Sequence, residues 1–297
     1  MESRLYIYVS LAADILIAIF KFIAAGITGS SSMLSEAIHS VIDAISQLLL
    51  ILGISRSKKR PDERRPFGYG KEMYFWSFIV SLIIFLLGGC ISFYEGWLRT
   101  REPDFKGSPY WSYTVLAIAF VFNSITMATA LKVFNRQRGD TPFFKAVRES
   151  KDPPTFIVLL GDVIDLLGLV VAFMGVYLGL LFRHPYYDGI ASMIIGLLLI
   201  AASMLLACEC KSLLMGETIK RKTMRKIVAI AEADEAITKV KKQFSMYLAP
   251  EEILLQMLAV FKKDLTTEQL TNAIERITKA IKTELPKIRQ IYIEPVK

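Results

Sequence analysis

Long apolar runs separated by short charged segments fill the first two thirds of the chain. Six runs are long enough to cross a bilayer as helices. We place them near residues 5–27, 33–54, 73–96, 110–133, 155–181 and 187–208. The pattern predicts an α-helical polytopic membrane protein with six transmembrane helices. The first run is too long for the apolar part of a signal peptide, and we interpret it as a spanning helix.

The second apolar run carries polar side chains at positions where lipid contact would be unfavourable. These residues are Glu36, His39, Ser40, Asp43, Ser46 and Gln47. Ionisable groups at membrane depth usually face the interior of a helix bundle or a water-filled cavity. The run is therefore expected to line a polar interior.

After residue 210 the pattern becomes that of a small soluble domain with amphipathic segments. It predicts a helix, two strands, a helix and a strand near 219–233, 237–248, 252–262, 266–284 and 288–295. Thr266 or Thr267 is a candidate N-cap of the second helix. We expect a six-helix transmembrane domain over 1–210 and a cytoplasmic α+β (αββαβ) domain over 211–297.

Composition and charge agree with a membrane protein that has basic loops. The chain is 53% hydrophobic, with a mean hydropathy of +0.42 and a net charge of +8. Lysine and arginine cluster between the second and third runs and between the fourth and fifth. The positive-inside rule then predicts cytoplasmic termini. Basic loops facing anionic lipid account for the charge, so nucleic-acid binding is not required.

Two pairs of ionisable residues suggest a site inside the membrane. His39 and Asp43 are four residues apart and share a helical face, as do Asp162 and Asp165 in the fifth run. Buried charges of this kind are costly unless they meet each other or a cation. One imidazole and three carboxylates can bind Zn²⁺, Mn²⁺, Fe²⁺ or Co²⁺. Metal binding needs deprotonated ligands, so protons compete for the same site.

Other interpretations of these polar residues stay open at this point. The four side chains could form buried hydrogen bonds between helices without metal. Glu36 could be a metal ligand, although we favour a solvated carboxylate at the start of the helix. Asp14 could relay protons or bond a neighbouring helix.

Several short motifs resemble the cation diffusion facilitator family, and the likeness covers nearly the whole chain. They are Gly29-Ser30-Ser31, His39-x-x-x-Asp43, Phe67-Gly68-Tyr69-Gly70-Lys71, Asp188-Gly189 with Ala191-Ser192, and the hinge from Leu213 to Glu217. The acidic fifth run is similar to that of the zinc-transporter-nine-like branch. It has Val158 and no histidine four residues before Asp162, and the tail after Cys210 lacks His and Cys.

The resemblance implies a homodimeric, proton-driven exporter of zinc or a related divalent ion, and not an enzyme. It also implies that Lys71 joins a charge cluster, with Glu217 as its candidate partner. We expect His39, Asp43, Asp162 and Asp165 to bind a transported Zn²⁺, Mn²⁺, Fe²⁺ or Co²⁺ ion, with no separate cofactor. A bacterial inner membrane is the expected location. The alternative is a membrane metal sensor or scaffold that binds metal without transporting it.

Overall fold

The computed structural model describes the backbone of residues 2–101, 109–138, 151–182, 184 and 186–297. Within these ranges it does not describe the side chains of 2–14, 109–112, 129–130, 133–134 and 136–138. The side chain of Asp14 and most of the basic loop after the fourth run therefore lie outside the described residues. Contacts divide the chain into two compact units, Met1–Ser55 with Phe75–Cys210 and Arg56–Tyr74 with Lys211–Lys297.

The first unit is helical. Its helices are α1 (Glu2–Thr28), α2 (Ser31–Ser57), α3 (Glu72–Ile83), α4 (Ile91–Arg101), α5 (Pro109–Arg138), α6 (Pro153–Leu181) and α7 (Tyr186–Met215). Among the described residues, four helical stretches are long and apolar enough to span a membrane: α2, α3 continuous with α4, α6 and α7. The described apolar parts of α1 and α5 are shorter, Ile15–Thr28 and Tyr113–Ala128.

Each predicted run coincides with one helical stretch, but the helices extend beyond the predicted limits. The run near 187–208, for example, is part of a helix that continues to Met215. Hydropathy marks only the apolar segment, whereas lysine and glutamate also favour helix and let it continue into the polar region. Buried aliphatic side chains from the facing helices, including Met33, Ile42, Ile164, Leu169 and Leu199, form the core of this unit.

The third span contains a seven-residue π-helical segment, Ile84–Cys90, between α3 and α4. π-helical turns are rare and usually occur as single insertions inside α-helices. Ile84, Gly88 and Gly89 in this segment are buried. The segment therefore lies within the packed part of the bundle.

Glycines allow this span to approach α7 closely. A Cβ atom on Gly96 would lie 2.6 Å from the carbonyl oxygen of Gly189 and 2.6 Å from the amide nitrogen of Met193. A Cβ atom on Gly196 would lie 2.5 Å from the amide nitrogen of Phe93 and 2.8 Å from Gly89 O. Small residues allow helix backbones to touch in membranes, where close packing drives association.

The second unit contains an α+β module. Its elements after the membrane helices are α8 (Arg221–Glu232), β1 (Ile237–Ala249), β2 (Glu252–Phe261), α9 (Thr267–Glu284) and β3 (Ile288–Pro295). The strand order is β1-β2-β3, with β1 antiparallel and β3 parallel to β2. Alternate residues of β2 are buried, from Ile253 to Ala259, and the helices cover that face. The predicted αββαβ order is confirmed.

The start of α9 confirms one local prediction. The Thr266 hydroxyl accepts a hydrogen bond from the Gln269 N–H at 3.2 Å, and the Gln269 side chain accepts one from the Thr266 N–H at 2.8 Å. This reciprocal pair is a capping box, which satisfies backbone donors at the helix start.

Residues Arg56–Tyr74 belong to the second unit, although the sequence analysis treats them as a membrane loop. Gly70 lies against β1, where a Cβ atom would be 2.5 Å from the carbonyl oxygen of Leu248 and 2.8 Å from the Ala249 Cβ. Lys71 Nζ donates to the carbonyl oxygen of Leu214 at 3.3 Å. Glu217, its predicted partner, accepts a hydrogen bond from the Ser212 hydroxyl at 3.1 Å.

Candidate metal centre

Helix α2 places His39 and Asp43 on the same side, one turn apart. His39 is 2% exposed, and Asp43 is partly buried. The His39 Nε2 atom lies 3.6 Å from Asp43 Oδ2. The four-residue spacing that suggested a shared face therefore places two possible ligands side by side within the helix bundle.

Helix α6 brings Asp165 to the same point. Asp165 Oδ1 lies 2.6 Å from His39 Nε2. Both atoms are buried, and neither makes a hydrogen bond of ordinary geometry with the described residues. One ligand atom each from His39, Asp43 and Asp165 lie within 4.8 Å of one another.

The chemistry of these three groups suits a divalent transition metal. A neutral imidazole and two ionised carboxylates carry a charge of −2, which one divalent ion would balance. Mixed nitrogen and oxygen ligands bind Zn²⁺ and related first-row ions. Three possible ligand atoms within 4.8 Å of one another are close enough to bind one shared ion.

Asp162 lies outside this group, although the sequence analysis places it in the site with the other three. It is partly buried on α6. Three residues along a helix correspond to a displacement of about 4.5 Å along the axis and about 60° around it. Asp162 is therefore offset from Asp165, and the structure joins three of the four predicted residues.

A buried ion pair lies beside the centre, and the sequence analysis missed one of its members. Lys21 on α1 is fully buried, and its Nζ atom lies 3.0 Å from Glu36 Oε2 and 2.8 Å from Ser40 Oγ. A lysine between Phe20 and Phe22 in a spanning helix is itself a signal of a polar interior. Glu36 is also fully buried, so its interpretation as a solvated carboxylate is wrong.

Two of the motifs that resemble the family, Gly29-Ser30-Ser31 and Asp188-Gly189, meet at the start of α2. Asp188 accepts hydrogen bonds from Ser30 Oγ at 2.7 Å, from the Ser31 N–H at 2.6 Å and from Ser32 Oγ. The carboxylate satisfies donors at the first turn of α2, where a negative charge is favourable. It thus ties the start of α7 to the start of α2. Near the start of α7, the Tyr186 N–H donates a hydrogen bond to His184 Nδ1 at 3.3 Å.

The family model described as the cation efflux transmembrane domain matches residues 7–215. That range contains His39, Asp43, Asp162 and Asp165, together with Lys21 and Glu36.

Among similar proteins is the mouse "Proton-coupled zinc antiporter SLC30A9, mitochondrial", which is 36% identical over 220 residues. The alignment covers 73% of this chain and 39% of the antiporter. The Arabidopsis thaliana "Metal tolerance protein C4" is 25% identical over 243 residues, which is 80% of this chain and 52% of that protein. The chain thus spans about two fifths to half the length of these relatives.

A solved nickel form of the MamM C-terminal domain is 18% identical, with a TM-score of 0.25. It matches 26% of this chain and 96% of that domain. The family assignment rests on the transmembrane match, which extends over well more than half of the chain. The chain belongs to the cation efflux family.

Proposed function

We propose that the chain transports a divalent transition-metal cation across a membrane in exchange for protons. Zn²⁺ is the favoured cargo, with Mn²⁺, Fe²⁺ and Co²⁺ as alternatives. The observation that carries the proposal is the convergence of His39, Asp43 and Asp165 within 4.8 Å, on two membrane helices. A second support is the name of the mouse relative, a proton-coupled zinc antiporter.

Proton coupling follows from the chemistry of the proposed ligands. The imidazole of His39 must be neutral and both carboxylates ionised before they can bind a metal ion. Protons and metal therefore occupy the group in alternation. A transporter that exposes the group to each side in turn would exchange one for the other, which is the alternating access that we propose.

The direction and setting of transport are further parts of the proposal. Basic loops favour cytoplasmic termini and export from the cytoplasm, with a bacterial inner membrane as the location. We propose that residues 1–210 carry the ion and that residues 211–297 form a cytoplasmic domain through which two copies associate.

The test is metal flux into proteoliposomes that contain the purified full chain, with and without a proton gradient. Zn²⁺, Mn²⁺, Fe²⁺ and Co²⁺ would be compared. We expect gradient-dependent flux of at least one ion, and Asp43→Asn should abolish it because the carboxylate charge is lost. Ser46→Ala, on the same helix, is the matched control.

Two outcomes would contradict the proposal. Undiminished metal flux in Asp43→Asn would show that transport does not depend on the centre. Metal binding measured by calorimetry with no flux under any gradient would instead favour a metal sensor or scaffold.

A further inference from the structure

Lys21 and Glu36 form an ion pair that is shielded completely from solvent. Both side chains are fully buried, and the ammonium group also donates to Ser40, which is 8% exposed. Removing two charges from water is costly, and their mutual attraction often fails to recover that cost. A pair of this kind is therefore a weak source of stability, and its position requires another explanation.

The pair lies next to the proposed metal ligands. Glu36 precedes His39 by three residues on α2, and Ser40 directly follows His39. Lys21 is close enough to interact electrostatically with both Asp43 and Asp165. The ammonium group therefore acts on the same carboxylates that would bind the metal.

Glu36 has a second oxygen with unused bonding capacity. Oε2 accepts from Lys21, whereas Oε1 is buried without a hydrogen-bond partner among the described residues. A Cβ atom on Gly168 would collide with Oε1. Gly168 follows Asp165 by three residues on α6, so the missing side chain leaves space for the Glu36 carboxylate one turn from the centre.

Charge arithmetic shows what Lys21 contributes. With neutral His39, the carboxylates of Glu36, Asp43 and Asp165 carry −3, and Lys21 reduces the total to −2. One divalent ion then balances the cluster. Without Lys21, Glu36 would be an uncompensated carboxylate with a free oxygen, and it could bind metal itself.

We propose that Lys21 is a fixed internal counter-cation that pairs with Glu36. It limits the centre to one divalent ion and keeps the affinity of the centre for that ion moderate. Moderate affinity matters for a transporter, because an ion bound too tightly is released slowly. Lys21 contacts no metal in this scheme; it is a positioning residue that acts through Glu36 and through its own charge. This inference rests on the proposed function.

The test uses the two single variants, because the proposal predicts opposite effects on metal affinity. In purified full-length protein titrated with Zn²⁺, Lys21→Met should tighten binding by about tenfold or more, or add a second bound ion, because a positive charge is lost. Glu36→Gln should weaken binding by about tenfold or more, because the Lys21 charge then repels the metal. The double variant should bind Zn²⁺ with an affinity close to that of the wild type. Lys21→Arg, which keeps the positive charge, should do the same.

A purely structural pair would behave differently. Both single variants would then lose folded protein, and the remaining folded protein would bind Zn²⁺ with unchanged or equally weakened affinity; either result overturns the inference. If Lys21→Met does not fold, Glu36→Gln and the double variant still differ only in the Lys21 charge, and equal affinities would overturn it as well. If wild-type protein binds none of the four metals, the proposed function fails first.

Discussion

The two carboxylates of α6 differ in their relation to the proposed metal centre. Asp165 lies 2.6 Å from His39 Nε2, whereas Asp162 is outside the three-residue group. We expect Asp165→Asn to reduce Zn²⁺ affinity by at least about tenfold, since a ligand charge is lost. Asp162→Asn, the matched control on the same helix, should have a smaller effect. Calorimetric titration of the full chain measures both, and the reverse order would show that Asp162 is the ligand.

His39, Asp43 and Asp165 come together as the sequence predicted, whereas Asp162, predicted in the same site, lies outside their group. The spacing of His39 and Asp43 was sufficient to place them on one face, because that depends only on helix geometry. The choice between Asp162 and Asp165 depends on how α6 is rotated against α2, and that rotation follows from packing of many side chains. Lys21 could also have been predicted, because a lysine between Phe20 and Phe22 in an apolar helix is itself a signal of a polar interior.

At the scale of elements, glycines set how closely two spans pack. A Cβ atom on Gly196 would lie 2.5 Å from the Phe93 amide nitrogen, and backbone atoms cannot move aside easily. We expect Gly196→Ala to destabilise the protein by about 1–3 kcal/mol, as for overpacking of a tight interior. The observable is a lower apparent Tm of the full chain in detergent.

Gly26→Ala is the matched control for this substitution. Gly26 is an exposed residue of α1, and nothing lies within 4 Å of a Cβ atom built on it. Alanine is favoured over glycine in helices by up to about 1 kcal/mol, so the control should be neutral or stabilising. Equal Tm losses in the two variants would contradict the close approach of α4 and α7.

An ion pair joins α9 to the turn before β1. Arg276 donates to both carboxylate oxygens of Asp234, at 3.1 and 3.0 Å. Burial alone would raise the pKa of Asp234, but the hydrogen bonds from Arg276 and from the Ala236 N–H outweigh it and lower the pKa below its ordinary value. A carboxyl group with a lowered folded pKa stabilises the fold above its unfolded pKa of about 3.9, and this contribution is lost as the pH falls through the folded value.

Asp234→Asn should therefore unfold more easily than wild type at pH 7, and the difference should shrink as the pH falls below about 4. Thermal unfolding of the full chain at a series of pH values measures this difference. Glu275→Gln, at an exposed position on α9 beside Arg276, is the control. A difference that stays constant down to acidic pH would show that the Asp234 charge is not responsible.

At the scale of the whole molecule, the loop Arg56–Tyr74 belongs to the unit that contains the C-terminal domain. The contact depends on Gly70, which has no room for a side chain against Leu248. We expect Gly70→Val to release the loop from β1 and speed its cleavage by trypsin after Lys58 and Lys59. Mass spectrometry of the first cut in the full chain is the measurement. The control is Glu63→Ala, at an exposed position of the loop, which trypsin should cleave at the wild-type rate. If trypsin also cleaves Gly70→Val at the wild-type rate, the contact between Gly70 and β1 does not hold the loop.

The fold class and the αββαβ tail could be predicted because they follow from local patterns. Alternation along β2 and the capping sequence at Thr266 are each contained within a few residues. The placement of Arg56–Tyr74 could not be predicted, because it depends on a contact between Gly70 and a strand far away in sequence. The basic composition of the loop indicated lipid contact, and composition does not report the space available beside a glycine.

The π-helical segment Ile84–Cys90 has a consequence for how the chain tolerates change in length. Its wider turns hold more residues than an α-helix does over the same rise. Deleting one residue there would let the segment relax to an ordinary α-helix, and the helices on either side would keep their orientation. Trp76, which packs on Gly53, and Gly96, which packs on Gly189, would then still face their partners together. The same deletion within α3 or α4 would rotate one of these contacts by about 100°, so the third span should tolerate a shorter chain best within Ile84–Cys90.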